Sequence, residues 1–145
     1  MRVVLQRVKS GRVLVAGHAI AEISKGLVIL LGISPGDGEQ QARIISEKIV
    51  NLRIFEDEQG KMNRSLLEVG GQAIVVSQFT LYADTRKGRR PSFTGAALPE
   101  TARPLVERFA QMLQELGVPT QTGEFGAHML VEIINDGPVT IWLDA

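Results

Sequence analysis

The sequence predicts a mixed α+β fold with more strand than helix. Three observations carry that expectation. The first quarter alternates Val, Leu and Ile rich runs with turn dipeptides, two later segments repeat apolar residues at helical spacing, and two further apolar runs close the chain.

Taken in order, residues 2–8, 12–16, 19–23 and 26–33 are predicted strands. Ser10-Gly11, Gly17-His18 and Lys25-Gly26 read as the turns between them, giving an antiparallel meander. After Ser34-Pro35-Gly36, Asp37 is placed to cap a helix whose apolar residues Ala42, Ile45, Ile49 and Leu52 follow helical spacing and should cover one sheet face. Ile54-Phe55 reads as a short strand before a turn at Asp57 to Gly60. Ala73 to Phe79 reads as a buried strand entered from Gly70-Gly71. From Leu81 to Leu98 the chain is polar, basic and glycine containing, the composition of an exposed functional loop. Leu105, Phe109, Met112, Leu113 and Leu116 then make the stripe of a second helix, with Pro104 in its first turns and Gly117 as its stop. Two last strands, about 128–134 and 139–143, are expected to be joined by a turn at Asn135-Asp136-Gly137-Pro138.

At 145 residues the chain fits one domain, 1–145, long enough to bury roughly two thirds of its unfolded surface. Hydrophobic residues at 44% and charged residues at 22% are ordinary globular values. The absence of cysteine excludes disulfides, thiolate metal sites and cysteine nucleophiles, and permits a reducing compartment. Charge breaks the apolar run of Met1-Arg2-Val3-Val4-Leu5-Gln6-Arg7 too early for a secretory signal, and no stretch has the length to span a membrane, so the expected location is cytoplasmic. Asn63-Arg64-Ser65, a glycosylation acceptor in form, is then a chance match. Sixteen basic and sixteen acidic residues cancel, so any attraction to nucleic acid must be local.

His18 and His128 are the available imidazoles, and neither has partners at metal-site spacing; each reads as a turn or strand-flanking residue, and no metal or cofactor is expected. Ser77 lacks the glycine-flanked elbow of an α/β-hydrolase nucleophile, and Gly36-Asp37-Gly38 alone makes no phosphate loop. Two segments remain. In Ser77-Gln78-Phe79-Thr80-Leu81 a hydrophobic strand ends in hydrogen-bonding side chains and in N–H groups leaving the ladder. These either satisfy the start of the loop or present donors to a developing oxyanion. In Asn135-Asp136-Gly137-Pro138-Val139-Thr140 the Gly-Pro bond is a candidate for the cis form, although any X-Pro bond taken alone favours trans.

Together these segments resemble the D-aminoacyl-tRNA deacylase family, whose motifs read S-Q-F-T-L and N-x-G-P-x-T. The opening Met1 to Val8, Arg53-Ile54-Phe55, Lys61-Met62-Asn63 and Gly123-Glu124-Phe125-Gly126-Ala127-His128-Met129 are similar to the family in the same order, so the resemblance covers the full length.

That resemblance implies a largely antiparallel, barrel-like sheet with two main helices, in a homodimer with two sites shared across the interface. It implies hydrolysis of D-aminoacyl-tRNA, and of glycine mischarged on alanine tRNA, at the acceptor end. Ser77, Gln78, Phe79 and Thr80 would form the reaction site, with the oxyanion taken by the N–H of Phe79 or Thr80 and attack assisted by the 2′-hydroxyl of the terminal ribose. Thr80 ranks first as pocket wall or donor and second as nucleophile, because no base adjoins it in the sequence. A cis Gly137-Pro138 unit, held by Arg7, would reach into the other subunit's pocket and leave no room for an L side chain. Met129 would line the adenine pocket. Arg86-Lys87-Gly88-Arg89-Arg90, directly after the first motif, is either a solvated loop or the contact to tRNA phosphates. Three rival readings stand beside this one: a nucleic-acid-binding module without the activity, an esterase of small D-amino acid derivatives using Thr80, and a trans Gly-Pro variant open to small L-amino acids.

Overall fold

One long strand organises the sheet. In the structure, a computed structural model that describes residues 1–145, β1 (Arg2–Val15) pairs with β3 (Gly26–Gly32) along its first half and with β2 (His18–Ile23) along its second. The expected break at Ser10-Gly11 does not occur. Gly11 is buried, and a Cβ there would lie 2.7 Å from Val28 Cγ2, so this glycine admits a close side chain while the strand runs on.

Helix α1 (Glu39–Asn51) follows β3. Asp37 does not cap it. Gly38 takes that place, its N–H held by Gln41 Oε1 at 2.9 Å, because the Asp37 carboxylate is committed to the Met1 ammonium at 2.7 Å and the Ser34 N–H at 2.7 Å. A hairpin of β4 (Phe55–Glu56) and β5 (Met62–Arg64) leads into β6 (Gln72–Ser77). The expected strand stops at Ser77, and Phe79–Tyr82 form a 3-10 turn. Helix α2 (Pro99–Glu115) buries Leu105, Phe109, Met112 and Leu113 as its spacing predicts, and ends just before Gly117. The short strand β7 (Thr120–Thr122), which periodicity does not foresee, precedes β8 (Leu130–Asp144).

The sheet runs β2-β1-β3-β6-β7, with β8 paired to the free side of β1. It is more mixed than a meander implies, since β3–β6 and β6–β7 are parallel. Its two ends curl together: Gln121 of β7 accepts the Glu22 N–H at 2.9 Å and donates to the Glu22 carbonyl at 2.7 Å. A side-chain amide thus stands in for a strand rung, and the sheet is barrel-like and nearly closed.

Strand β6 is buried on both faces, which is why its sequence is a continuous apolar run. Ala73 and Val75 join the core beneath the helices with Leu27, Ile29, Leu31 and Phe109, while Ile74 and Val76 point into a smaller cluster with Val13, Ile23 and Val28. No helix is long and apolar enough to cross a membrane.

Strand β8 is one element, not two joined by a turn. Residues on both sides of Asn135–Pro138 pair with β1, Ile134 opposite Ser10 and Thr140 opposite Gln6. Between the pairs Gln6–Thr140 and Val8–Asn135, Arg7 alone faces Asp136 to Val139, a bulge that throws Gly137 and Pro138 outward.

Candidate functional site

The C-terminal ends of the parallel strands β3 and β6 meet a pocket of about 590 Å³, bordered by Ile33, Ser77, Gln78, Phe79, the residues before α2, and Phe125 to Met129. Pockets at the carboxyl ends of parallel strands are a recurrent consequence of such sheets. Its wall is mostly apolar and carries no Asp, Glu, Lys or Arg; His128 is its one imidazole, and it has no hydrogen bond to Ser77, Gln78 or Thr80.

Ser77 is the last residue of β6, opposite Leu31, and the Gln78 N–H makes the final rung to the Leu31 carbonyl at 2.8 Å. The chain then leaves the ladder. In the 3-10 turn the first donor is Leu81, which bonds the Gln78 carbonyl at 3.2 Å, so the N–H groups of Phe79 and Thr80 have no backbone acceptor. Glycine at position 32 makes room for this turn, since a Cβ there would meet the Gln78 oxygen at 3.0 Å and Leu81 Cβ at 3.2 Å. Ser77, Gln78 and Phe79 border the pocket; Thr80 is exposed beyond its rim, and its hydroxyl accepts a hydrogen bond from Gln78 Nε2.

Met129 also borders the pocket, half-buried against Gly123, where a Cβ would lie 2.7 Å from its sulfur. Two aromatic walls escape spacing arguments. Phe93, from the long loop, meets Phe79 edge to face at 5.1 Å between centroids, and Phe125 carries the Arg103 guanidinium 4.8 Å over its ring. Only the matched segment 123–129 gave a signal for Phe125; Phe93 lay unmarked in a basic stretch.

The second segment is built differently. The Gly137-Pro138 bond is cis, which the spacing alone had left open. Arg7 is 4% exposed beneath the bulge, donating through Nη1 to the Ile54 carbonyl at 2.8 Å and through Nε to the Asp136 carbonyl at 3.2 Å. The Asp136 and Glu56 carboxylates lie 3.4 and 3.8 Å from its guanidinium. Asn135 closes the neck of the bulge, its Nδ2 donating to the Arg7 carbonyl at 2.9 Å and the Val139 carbonyl at 3.1 Å, while its oxygen accepts from the Thr140 hydroxyl at 3.4 Å. Asn and Thr thus have structural work within their motif.

The two segments do not meet within one chain. Strands β1 and β3 separate β8 from β6, about 14 Å across the sheet at ordinary strand spacing. Neither Gly137, Pro138 nor Arg7 borders the pocket.

The basic run sits on a small loop closed by mutual backbone bonds between Asp84 and Ser92 at 2.7 and 3.0 Å. Arg86 forks onto the Asp84 carboxylate at 2.7 and 2.9 Å, holding that carboxyl far below the usual range, so its charge is already paired. Lys87, Arg89 and Arg90 are exposed and form no ion pair.

Fold and pocket define the class: an α+β protein with a nearly closed sheet, carrying an apolar pocket and a turn of free N–H donors at the ends of two parallel strands. The family model for D-Tyr-tRNA(Tyr) deacylase matches residues 4–144, and the chain belongs to that family. The D-aminoacyl-tRNA deacylase of Thermomicrobium roseum is 61% identical over 100% of this chain and 94% of that protein. The D-aminoacyl-tRNA deacylase of Heliobacterium modesticaldum is 60% identical over 99% of this chain and 96% of that protein. A solved structure described as c-Myc DNA Unwinding Element Binding Protein superposes with a TM-score of 0.94 at 40% identity, covering 100% of this chain and 99% of that one.

Proposed function

We propose that this chain is a D-aminoacyl-tRNA deacylase, hydrolysing the ester that joins a D-amino acid to the terminal ribose of tRNA. Family membership and the names of close relatives support the reading. The observation that carries it is the turn after β6, which leaves unbonded the N–H of Phe79, in the wall of an apolar pocket, and the N–H of Thr80, just beyond its rim.

An aminoacyl ester is already activated, so positioning, water and an oxyanion donor suffice. Water adds to the carbonyl carbon, the Phe79 or Thr80 N–H receives the developing oxyanion, and the ester bond breaks with the proton passing to the ribose oxygen. The neighbouring 2′-hydroxyl of the substrate assists the attack, in keeping with a pocket that holds no carboxylate. Thr80 serves as a donor rather than a nucleophile, because its hydroxyl is bonded to the Gln78 amide and meets no base. Ser77 and Gln78 hold the amino acid or the terminal adenosine, with Met129 along the adenine.

The working unit in this reading is a homodimer of two 1–145 domains in the cytoplasm, with the Gly137-Pro138 bulge of one copy entering the pocket of the other. The separation of the two segments within one chain supports sharing across copies. So does the open outer edge of β8, where Leu130, Ile134 and Trp142 are 62%, 57% and 50% exposed. Two carbonyls against the substrate α-carbon then exclude an L side chain, while glycine passes. Arg7 braces that filter. Lys87, Arg89 and Arg90 meet the phosphates of the acceptor end, and Arg86 organises their loop through Asp84.

Release of labelled tyrosine from D-Tyr-tRNA and L-Tyr-tRNA, with metal chelated, tests this. Rapid loss of the D form alone is expected. Comparable rates on both would sink the chirality filter, and no release from either would overturn hydrolysis.

A further inference from the structure

The turn that carries the free N–H groups is anchored by a residue far from it in sequence. Arg2 Nη1 donates to the Leu81 carbonyl at 2.9 Å, and its guanidinium lies 4.5 Å over the Tyr82 ring. The centroid of a second ring, Trp142, lies 5.6 Å from the same guanidinium. Arg2 thus bridges the last two residues of the 3-10 turn to β8, in contact with an aromatic ring of each.

An ordinary surface arginine does not fit this description. Its Nε is buried and makes no hydrogen bond, with the nearest carboxylate, Asp144, at 3.6 Å, beyond hydrogen-bond reach. Leaving a charged donor unsatisfied costs stability, so the stacking and the bond to Leu81 must offset it. Lysine would not reproduce both, because its ammonium lacks the planar fork that stacks while it donates. The turn is also confined from beneath, where a Cβ on Gly32 would meet Tyr82 Cε2 at 3.2 Å as well as the Gln78 oxygen. Held from beneath at Gly32 and laterally by Arg2, the turn has little freedom to rotate the unbonded Phe79 and Thr80 N–H groups.

We propose that Arg2 is a positioning residue for the deacylation, fixing the Phe79–Tyr82 turn so that its free N–H groups point where the oxyanion forms. The inference rests on the oxyanion role given to that turn above. Arg2 is not part of the wall of this pocket and reaches the reaction through Leu81 and Tyr82. Its partner Trp142 stands on β8, across from Val4 of β1, and is 50% exposed.

The test compares the full-length protein with Arg2→Met and Arg2→Lys, measuring kcat and KM on D-Tyr-tRNA well below the unfolding temperature, and amide exchange at residues 79–83. Misaligned donors should lower kcat by roughly ten- to a hundredfold. KM should stay within about twofold, because no binding surface is removed. Exchange at Leu81 and Ala83 should quicken in Arg2→Met while the amides of β6 keep their protection. Arg2→Lys should recover the hydrogen bond without the stack and fall between. A folded Arg2→Met protein with unchanged kcat would overturn the positioning role, as would a loss that appears in KM alone. If even the unmodified protein shows no turnover, the deacylase reading fails, and unchanged exchange in the turn would then separately overturn the anchoring by Arg2.

Discussion

Ser77–Thr80 ends a strand buried on both faces, whereas Asn135–Thr140 bulges from an edge strand whose alternate residues face solvent. The first is held by packing: Val75 and Val76 are 1% exposed on opposite sides of the sheet, and the polar residues begin where the ladder stops. The second is held by one buried side chain, since Arg7 bonds the Asp136 carbonyl from below and Asn135 ties the neck. A core supplies rigidity through many weak contacts and loses it gradually. A clamp supplies it through a few charged bonds and loses it with one substitution.

Breaking the packed side should have the largest effect. A Cβ at Gly26 would lie 1.8 Å from the Gln72 carbonyl oxygen, so Gly26→Ala forces β3 and β6 apart where their pairing begins. The expected loss is about 3 kcal/mol or more in denaturant unfolding. An unchanged midpoint would show that β6 does not depend on this close approach.

Breaking the clamp comes next. Arg7→Ala leaves the Ile54 and Asp136 carbonyls without their donor and should cost about 2 kcal/mol. Unlike the first change, it should speed amide exchange around the bulge before that of β6. If both regions loosen equally, the bulge is not locally clamped.

The smallest effect sharpens the contrast with an exposed clamp. Asp84→Asn removes the Arg86 fork on a solvated loop and should leave the unfolding midpoint within error, since exposed pairs contribute little. Because Arg86 lowers the folded pKa of Asp84, the brace is fully present above the unfolded value of 3.8 and is lost only as pH falls through the lower folded value. An NMR titration of the Asp84 carboxyl should therefore show no midpoint at or above 3.8.

Much of this molecule is written locally. The stripe Leu105, Phe109, Met112, Leu113 gives α2, Gly117 ends it, the apolar run of β6 marks a strand buried twice over, and both motifs can be read as they stand. These features depend on residues within a turn or two of each other, where backbone hydrogen bonding and side-chain periodicity act. Other features were decided by distant parts of the chain. Gly11 belongs to a strand because Val28 packs against it, Asp37 serves the Met1 ammonium instead of a helix, and Asn135–Pro138 is a bulge because β1 pairs on both sides of it. Arg2 and Arg7 look like ordinary strand-edge charges until the fold sets carbonyls and rings around them. Side-chain chemistry was therefore legible in the sequence, while the partners that orient it were fixed only by strand pairing across the sheet, which brings together groups that no local spacing relates.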